Sequence, residues 1–153
     1  MSKLIRSVIL FTFFLVFRIN AETTIKVVGN LYCCSQNKEA NLSPDLIIDE
    51  NEDCYELHRT LVELWETDTF STDDKLNSIF THKNDSTFVL YGSEELDPVV
   101  VFYLKSYHTC QVSVDDVNRG CFRTATHDIP AQYNDGNYEF TWHVGGSDSL
   151  TCP

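Results

Sequence analysis

The sequence predicts an all-β fold, a two-sheet sandwich of about seven strands that is stapled by disulfides. Apolar residues alternate with polar ones over short runs, and turn residues interrupt these runs at near-regular spacing. The chain also contains six cysteines, an even number that is typical of a disulfide framework in an exported protein. At 153 residues the chain is long enough for one domain with its own core.

Residues 1–21 are predicted to be a secretory signal peptide. Lys3 and Arg6 precede the apolar run Val8 to Phe17, and Ala21 supplies a small residue for cleavage before Glu22. A membrane anchor is the alternative, but the apolar run is about half of the roughly 20 residues that a spanning helix needs. The mature domain is therefore expected over residues 22–153, in the extracellular space.

The mature chain is strongly acidic. Of the 11 basic residues, Lys3, Arg6 and Arg18 lie in the leader, which leaves 8 basic and 23 acidic side chains and a net charge of −15. Such a surface repels phosphate backbones, so nucleic acid is excluded as a partner class. Anionic lipid headgroups are expected only through a cation or a basic patch.

Seven runs have the two-residue period of a β-strand. The first, Thr24 to Cys33, places Ile25, Val27 and Leu31 on one face. Lys83 to Ser86 has turn chemistry, which predicts that the third and fourth runs form a hairpin. The seven predicted strands are Thr24–Cys33, Arg59–Glu66, Leu76–His82, Thr87–Tyr91, Val99–His108, Cys121–Ile129 and Tyr138–Val144. Thr72 to Lys75 has the pattern of a short helical turn with Thr72 as its N-cap.

An acidic loop of about residues 37–58 interrupts the strand pattern. It holds seven acidic residues and the apolar triplet Leu46, Ile47 and Ile48. A loop of this length in a small domain is usually either functional or disordered. The triplet is a candidate contact surface, and the alternative is that it pins the loop to the sandwich.

The order of several motifs resembles that of the transthyretin-like family, which is best known from secreted nematode proteins. The motifs that carry the resemblance are Gly29-Asn30-Leu31-Tyr32-Cys33, Val62-Glu63-Leu64-Trp65-Glu66, Asp73-Asp74-x-Leu76, Tyr103-Leu104-Lys105-Ser106-Tyr107-His108-Thr109-Cys110, Cys121-Phe122-Arg123 and Ile129-Pro130-x-x-Tyr133. The chain departs from the family pattern in an insertion with two extra cysteines, Cys34 and Cys54, in Ser86 of the fourth-strand turn, and in Trp142-His143. The resemblance implies a transthyretin-like sandwich and a non-enzymatic extracellular protein that binds or bridges other molecules.

Six cysteines allow fifteen pairings. Cys110 and Cys121 bracket the loop between two consecutive predicted strands, so we expect them to pair. In the topology that the resemblance implies, the first and seventh strands are parallel neighbours, which favours a Cys33–Cys152 bond. Cys34–Cys54 then closes the inserted loop, although the adjacent Cys33 and Cys34 leave these last two pairings exchangeable.

No motif for catalysis or for a metal site emerges, and no cofactor is expected. His108 near Cys110 is interpreted as a strand histidine beside a disulfide. The calcium-like start Asp49-x-Asn51-x-Asp53 lacks the glycine and the final glutamate of a calcium loop. Asn84-Asp85-Ser86 is a glycosylation sequon at a predicted turn, so we expect a glycoprotein.

These observations predict a secreted binding or bridging protein that recognises an extracellular protein or cell-surface ligand. Two alternatives stay open: a carrier of a small ligand in the cleft of a homo-oligomer, and an enzyme related to the 5-hydroxyisourate hydrolases. The C-terminal Ser149 to Pro153 lacks the Tyr-Arg-Gly-Ser tail of those hydrolases. The oligomeric state is not determined by the sequence.

Overall fold

A computed structural model describes residues 22–34, 54–67, 72–95 and 100–153. The predicted signal peptide, the triplet Leu46–Ile48 and the calcium-like segment 49–53 lie outside these ranges. The elements in chain order are β1 Thr23–Cys34, β2 Cys54–Glu56, β3 Leu61–Thr67, β4 Asp74–Phe80, β5 Thr87–Glu94, β6 Val101–His108, α1 Val114–Asn118, β7 Phe122–Asp128, a 3-10 helix Ala131–Tyr133, β8 Gly136–Val144 and β9 Ser149–Thr151.

The strands form two sheets, which confirms the predicted all-β, two-sheet class. In the four-stranded sheet β1 pairs in parallel with β8 and antiparallel with β5 and β2. Since β8 occupies one edge of β1 over Ile25 to Cys33, β5 and β2 follow each other along the other edge. The second sheet has the order β4-β3-β6-β7-β9, and all of its pairings are antiparallel.

The core lies between the sheets and is built by the two-residue alternation of their strands. Along β1 the buried positions are every second residue, whereas the residues between them remain partly exposed. The opposite sheet contributes side chains that are fully enclosed. The core residues with at most 2 % exposure include Val27, Leu31, Val62, Leu64, Phe88, Leu90, Phe102 and Leu104.

Every one of the seven predicted strands overlaps an observed strand, but short elements were missed. β2 and β9 have three residues each, too few to show a period. β2 also lies inside the segment that we expected to be loop to residue 58, so that boundary was wrong. The predicted helical turn at Thr72 is wrong too, because β4 begins at Asp74; the helix is α1, where the Ser113 side chain accepts a hydrogen bond from the Asp116 amide.

The predicted hairpin of the third and fourth strands is wrong. The turn exists, but β4 pairs with β3 while β5 pairs with β1, so the chain crosses from one sheet to the other at this point. Ser86 adopts a left-handed backbone with φ of 52° and is completely buried. Asp85 Oδ1 accepts hydrogen bonds from the Thr87 amide at 3.2 Å and hydroxyl at 2.7 Å, which fixes the turn.

All six cysteines are in disulfides, but only one of the three expected pairs is correct. Cys34–Cys54 is confirmed; the other bonds are Cys33–Cys110 and Cys121–Cys152. The expected parallel pairing of the first and last long strands is present. The tail then leaves that sheet after Val144, and β9 pairs with β7, so Cys152 meets Cys121 instead of Cys33.

The Cys110–Cys121 expectation is wrong because the two cysteines, although both are buried, meet different partners. Cys110 follows β6 into the core, where it has no exposed surface and meets the inward-facing Cys33 of β1. Cys121 is held at the end of α1 by a hydrogen bond from its amide to the Asp116 carbonyl. The Cys33–Cys110 bond therefore ties one sheet to the other.

Candidate binding surface

The acidic loop that the sequence suggested as a contact surface is closed at its base by the Cys34–Cys54 disulfide. Cys34 and Cys54 lie opposite each other in the β1–β2 ladder and are bonded, with a Cα–Cα distance of 4.1 Å. Gln111 Nε2 donates a hydrogen bond to the Cys34 carbonyl at 2.6 Å. The base of the acidic loop is therefore fixed to the sandwich, and Leu46, Ile47 and Ile48 lie outside the described residues.

A different surface emerges on the outer side of the five-stranded sheet. The inward positions of β3 and β6 are filled by Val62, Leu64, Phe102 and Leu104, so the residues between them point away from the core. We call this outward set the aromatic face; it consists of Trp65, Tyr103, Lys105, Tyr107 and Phe122.

The side chains of the aromatic face contact one another in ordered pairs. The Trp65 and Tyr103 rings stack with centroids 6.3 Å apart and planes inclined by 20°. Lys105 Nζ lies 3.9 Å above the Trp65 ring and 5.2 Å from the Tyr103 ring. Tyr107 and Phe122 meet edge to face at 5.8 Å. These cation–π and aromatic contacts restrict the side chains, of which Tyr103 is only 6 % exposed and the other four are half-buried.

Glu63 is the hub that holds the face in place. Its carboxylate accepts hydrogen bonds from Trp65 Nε1 at 2.9 Å, Tyr107 Oη at 3.0 Å and Lys75 Nζ at 3.1 Å. Burial works to raise the pKa of Glu63, but these hydrogen bonds outweigh it and bring the pKa below the ordinary 4.5. Glu63 is thus an ionised, enclosed acceptor that joins β3, β4 and β6.

The two tyrosines of the face remain protonated donors. Burial, reinforced by the hydrogen bond to Glu63, raises the pKa of Tyr107. Burial is the main cause that raises the pKa of Tyr103, and the 2.7 Å hydrogen bond that Tyr103 Oη donates to Asp73 Oδ2 is the second. Both phenols are therefore hydrogen-bond donors, and the face presents oriented rings and one cation.

The histidines are spread over the fold. His108 is 2 % exposed, and its Nε2 lies 3.1 Å from Asp148 Oδ2, a contact that anchors the turn before β9. His127 faces inward and stacks on Phe140 at 4.3 Å, with Nε2 2.8 Å from Tyr138 Oη. His58, His82 and His143 are exposed. The interpretation of His108 as a strand histidine beside a disulfide matches its position.

Within the described ranges, one group brings three metal-type ligand atoms within 4.8 Å of one another, and it consists of Asp116, Cys121 and Cys152. The two cysteines are bonded to each other, so they offer no thiolate. The group is a disulfide beside a carboxylate.

A groove of about 680 Å³ lies where β1 and β8 begin and β5 ends. Lys26, Tyr91, Asp135 and Asn137 are among its lining residues. Lys26 Nζ is 5.8 Å from the Tyr91 ring, a looser cation–aromatic pair than the one on the other sheet. The glycosylation candidate Asn84 is exposed in the turn between the sheets.

The aromatic face was not predicted, although the sequence contained a signal for it. Trp65, Tyr103 and Tyr107 lie at the outward-facing positions of their strands, where polar side chains are usual, because the alternate positions already supply the core residues. Large rings at positions that the core does not use are a recognisable pattern for a contact surface. Their assembly depends on the side-by-side pairing of β3, β6 and β7, which the sequence pattern does not reveal.

The comparisons add no assignment. No family model, no curated protein and no solved structure matches the chain. In the described ranges no helix is long and apolar enough to cross a membrane.

Proposed function

We propose that the chain is a secreted, non-enzymatic binding or bridging protein, with a transthyretin-like sandwich as its scaffold and the aromatic face as its contact surface. The observation that carries the proposal is the ordered stack of Lys105, Trp65 and Tyr103 on the outer side of a sheet, in which Lys105 and Trp65 are half-buried and cover Tyr103, and in which Trp65 donates a hydrogen bond to Glu63. Three disulfides suit an oxidising, extracellular compartment.

The shape and chemistry of the face favour a macromolecular partner. Tryptophan and tyrosine are among the residues that dominate protein–protein binding energies. The surface is the outer side of a sheet and presents rings in a row, which suits a broad partner better than an enclosed small molecule. A net charge of −15 in the mature chain favours an extracellular protein or cell-surface ligand with basic groups.

A structural role for the same contacts is the competing explanation. The Glu63 network joins three strands and stabilises the sheet whether or not a partner binds. The two explanations differ for Trp65 and Lys105, which are only half-buried on the outer side of the sheet. Trp65 also donates a hydrogen bond to Glu63, so its removal is expected to cost some stability, and urea unfolding measures that cost separately from affinity.

The experiment compares two matched double variants of the mature protein. Trp65→Ala with Lys105→Ala removes the cation–aromatic pair of the aromatic face, and Tyr91→Ala with Lys26→Ala removes the corresponding pair of the other sheet. Partners are captured from extracellular fluid and from cell surfaces with the wild-type protein, identified, and titrated against each variant, after circular dichroism has shown that the variants are folded.

We expect the Trp65/Lys105 variant to weaken partner affinity by roughly thirtyfold or more, as removal of an interface hot spot does, and the Tyr91/Lys26 variant to leave it unchanged. Equal affinity of all three proteins would contradict the proposal. A loss confined to the Tyr91/Lys26 variant favours the groove, and with it the small-ligand carrier.

The hydrolase alternative is tested separately. Incubation with ureide substrates, followed by spectroscopy, measures turnover directly. Turnover that survives extensive purification and disappears with a substitution in the groove would replace the binding proposal by an enzymatic one.

A further inference from the structure

The Cys34–Cys54 disulfide lies on the outer side of the four-stranded sheet. Its two cysteines are directly opposite each other in the β1–β2 ladder. The preceding residue of β1, Cys33, points into the core, so the strand period directs Cys34 and its partner outward, where both residues are half-buried. Solvent therefore reaches both residues of this bond.

A groove of about 420 Å³ opens beside this bond. It is lined by Tyr32, Cys54, Thr141 and His143, which belong to the three adjacent strands β2, β1 and β8. The Tyr32 and His143 rings meet edge to face, with their centroids 6.0 Å apart. The groove gives a dissolved molecule a path to Cys54.

Opening a disulfide by thiol exchange has two requirements. A thiolate must reach one sulfur atom, and the other sulfur must leave as a thiolate when the bond between them breaks. A buried leaving group is unfavourable, because burial raises the pKa of a thiol, and a neighbouring carboxylate makes the negative charge more unfavourable still. These requirements separate the three disulfides of this chain.

The other two disulfides each fail one requirement. Cys33 and Cys110 are 1 % and 0 % exposed, so a dissolved thiolate does not reach their bond in the folded protein. Cys152 is exposed, but attack there expels Cys121, which is only 2 % exposed. A carboxylate oxygen of Asp116 lies within 4.8 Å of both sulfurs of that bond and repels the thiolate that would form.

We infer that Cys34–Cys54 is a thiol-exchange site that takes a low-molecular-weight thiol of the glutathione type. The thiolate attacks the Sγ of Cys54, the cysteine that borders the groove, and forms a mixed disulfide with it. The Sγ of Cys34 leaves as a thiolate and takes a proton from water. A second small thiolate then attacks the sulfur of the first, which releases the oxidised small disulfide and leaves Cys54 as a thiolate, so two electrons pass to the protein.

Opening this bond leaves the rest of the sandwich in place. The Leu57 amide donates a hydrogen bond to the Leu31 carbonyl at 2.9 Å, so backbone pairing holds the segment after β2 against β1 without the disulfide. The buried Cys33–Cys110 bond continues to tie β1 to the opposite sheet. The exchange is therefore a local event of the folded protein, and it does not depend on the aromatic face, which belongs to the other sheet.

The test is partial reduction of the folded mature protein with reduced glutathione at neutral pH. Samples taken at intervals are alkylated with N-ethylmaleimide, and peptide mass spectrometry locates the alkylated and the glutathione-bound cysteines. We expect Cys34 and Cys54 to become reactive at least about tenfold faster than Cys121 and Cys152. The first bound glutathione is expected on Cys54, and circular dichroism is expected to stay unchanged while this bond opens.

Two variants supply matched controls. Asp116→Asn removes the carboxylate beside the Cys121–Cys152 bond, so we expect faster reduction of that bond and an unchanged rate at Cys34–Cys54. Cys34→Ser combined with Cys54→Ser is expected to remain folded and to lose the fast phase of reduction. Urea unfolding of each variant distinguishes a change in exchange rate from a change in stability.

Four outcomes would overturn the inference. The first is reduction of Cys121–Cys152 before Cys34–Cys54, and the second is simultaneous reduction of all three bonds together with loss of the fold. The third is a Cys34–Cys54 bond that glutathione leaves intact. The fourth is a first glutathione on Cys34, which would contradict Cys54 as the residue that is attacked.

Discussion

Replacing the cysteines in pairs by alanine tests the way in which the disulfides hold the sandwich together. The structure pairs Cys33 with Cys110 and Cys121 with Cys152. Removing two bonded cysteines leaves no free thiol, whereas removing Cys110 and Cys121 together leaves Cys33 and Cys152 without partners. The number of thiols that react under denaturing conditions is therefore expected to be none for the first kind of variant and two for the second.

The two bonds are also expected to differ in their contribution to stability. Their cysteines are 77 and 31 residues apart in the chain. In the chain-entropy treatment these loops correspond to about 4.5 and about 3.7 kcal/mol of free energy of unfolding at 25 °C. Packing increases this difference in the free energy of unfolding, because both cysteines of the Cys33–Cys110 bond are buried, at 1 % and 0 % exposure, and their replacement leaves a cavity. In the other bond Cys121 is buried but Cys152 is exposed.

Urea unfolding followed by tryptophan fluorescence measures the free energies, and peptide mass spectrometry verifies the remaining bonds. We expect Cys33→Ala/Cys110→Ala to be the least stable of the bonded-pair variants, with Cys121→Ala/Cys152→Ala between it and the wild type. The reasoning is refuted if Cys110→Ala/Cys121→Ala has no reactive thiol, or if the Cys121/Cys152 variant is the less stable of the two.

Other predictions concern the core, the buried His108 and the partly buried His127. Leu64→Ala, at a position with no exposed surface, is expected to lower the free energy of unfolding by about 2–5 kcal/mol in urea titrations, and a loss below 1 kcal/mol would contradict its central place. Gly29→Ala brings a Cβ within 2.6 Å of the buried Phe88 ring, so we expect a loss of about 1–3 kcal/mol that Phe88→Leu partly reverses. Burial lowers the pKa of His108, against the opposing effect of Asp148, and lowers the pKa of His127 below the ordinary 6.5. As the pH falls below about 6.5, these histidines therefore bind protons in the unfolded chain before they do so in the folded protein, and the melting temperature is expected to decrease. The variant His127→Phe should make this decrease smaller. An unchanged dependence of the melting temperature on pH in that variant would contradict the assignment to His127.

The contact surface could be predicted only in part. The sequence pointed to the acidic loop because the length of the loop and its apolar triplet can be read directly from the order of residues. The aromatic face depends on lateral pairing: Trp65 and Tyr103 are opposite each other in the β3–β6 ladder, 38 residues apart in the chain. A period-two pattern shows that both side chains face outward, but not that they are neighbours.

The sequence by itself determined the class of the fold. Alternation of apolar and polar residues specifies which side of each strand is buried, and this local property was sufficient to locate the seven principal strands. It also indicated that the six cysteines form a disulfide framework, whereas the choice between Cys33 and Cys34 as the partner of Cys54 was left open until the structure paired Cys34 with Cys54.

Only the tertiary structure decided which sheet each strand joins. The chain crosses between the sheets at the turn before Thr87 and again after Val144, and each crossing changes which cysteines and which edges meet. The physical reason is that the side-chain period is a property of one strand, whereas partner choice depends on burying both sheets against each other over the whole domain. The Cys121–Cys152 bond follows from the second crossing.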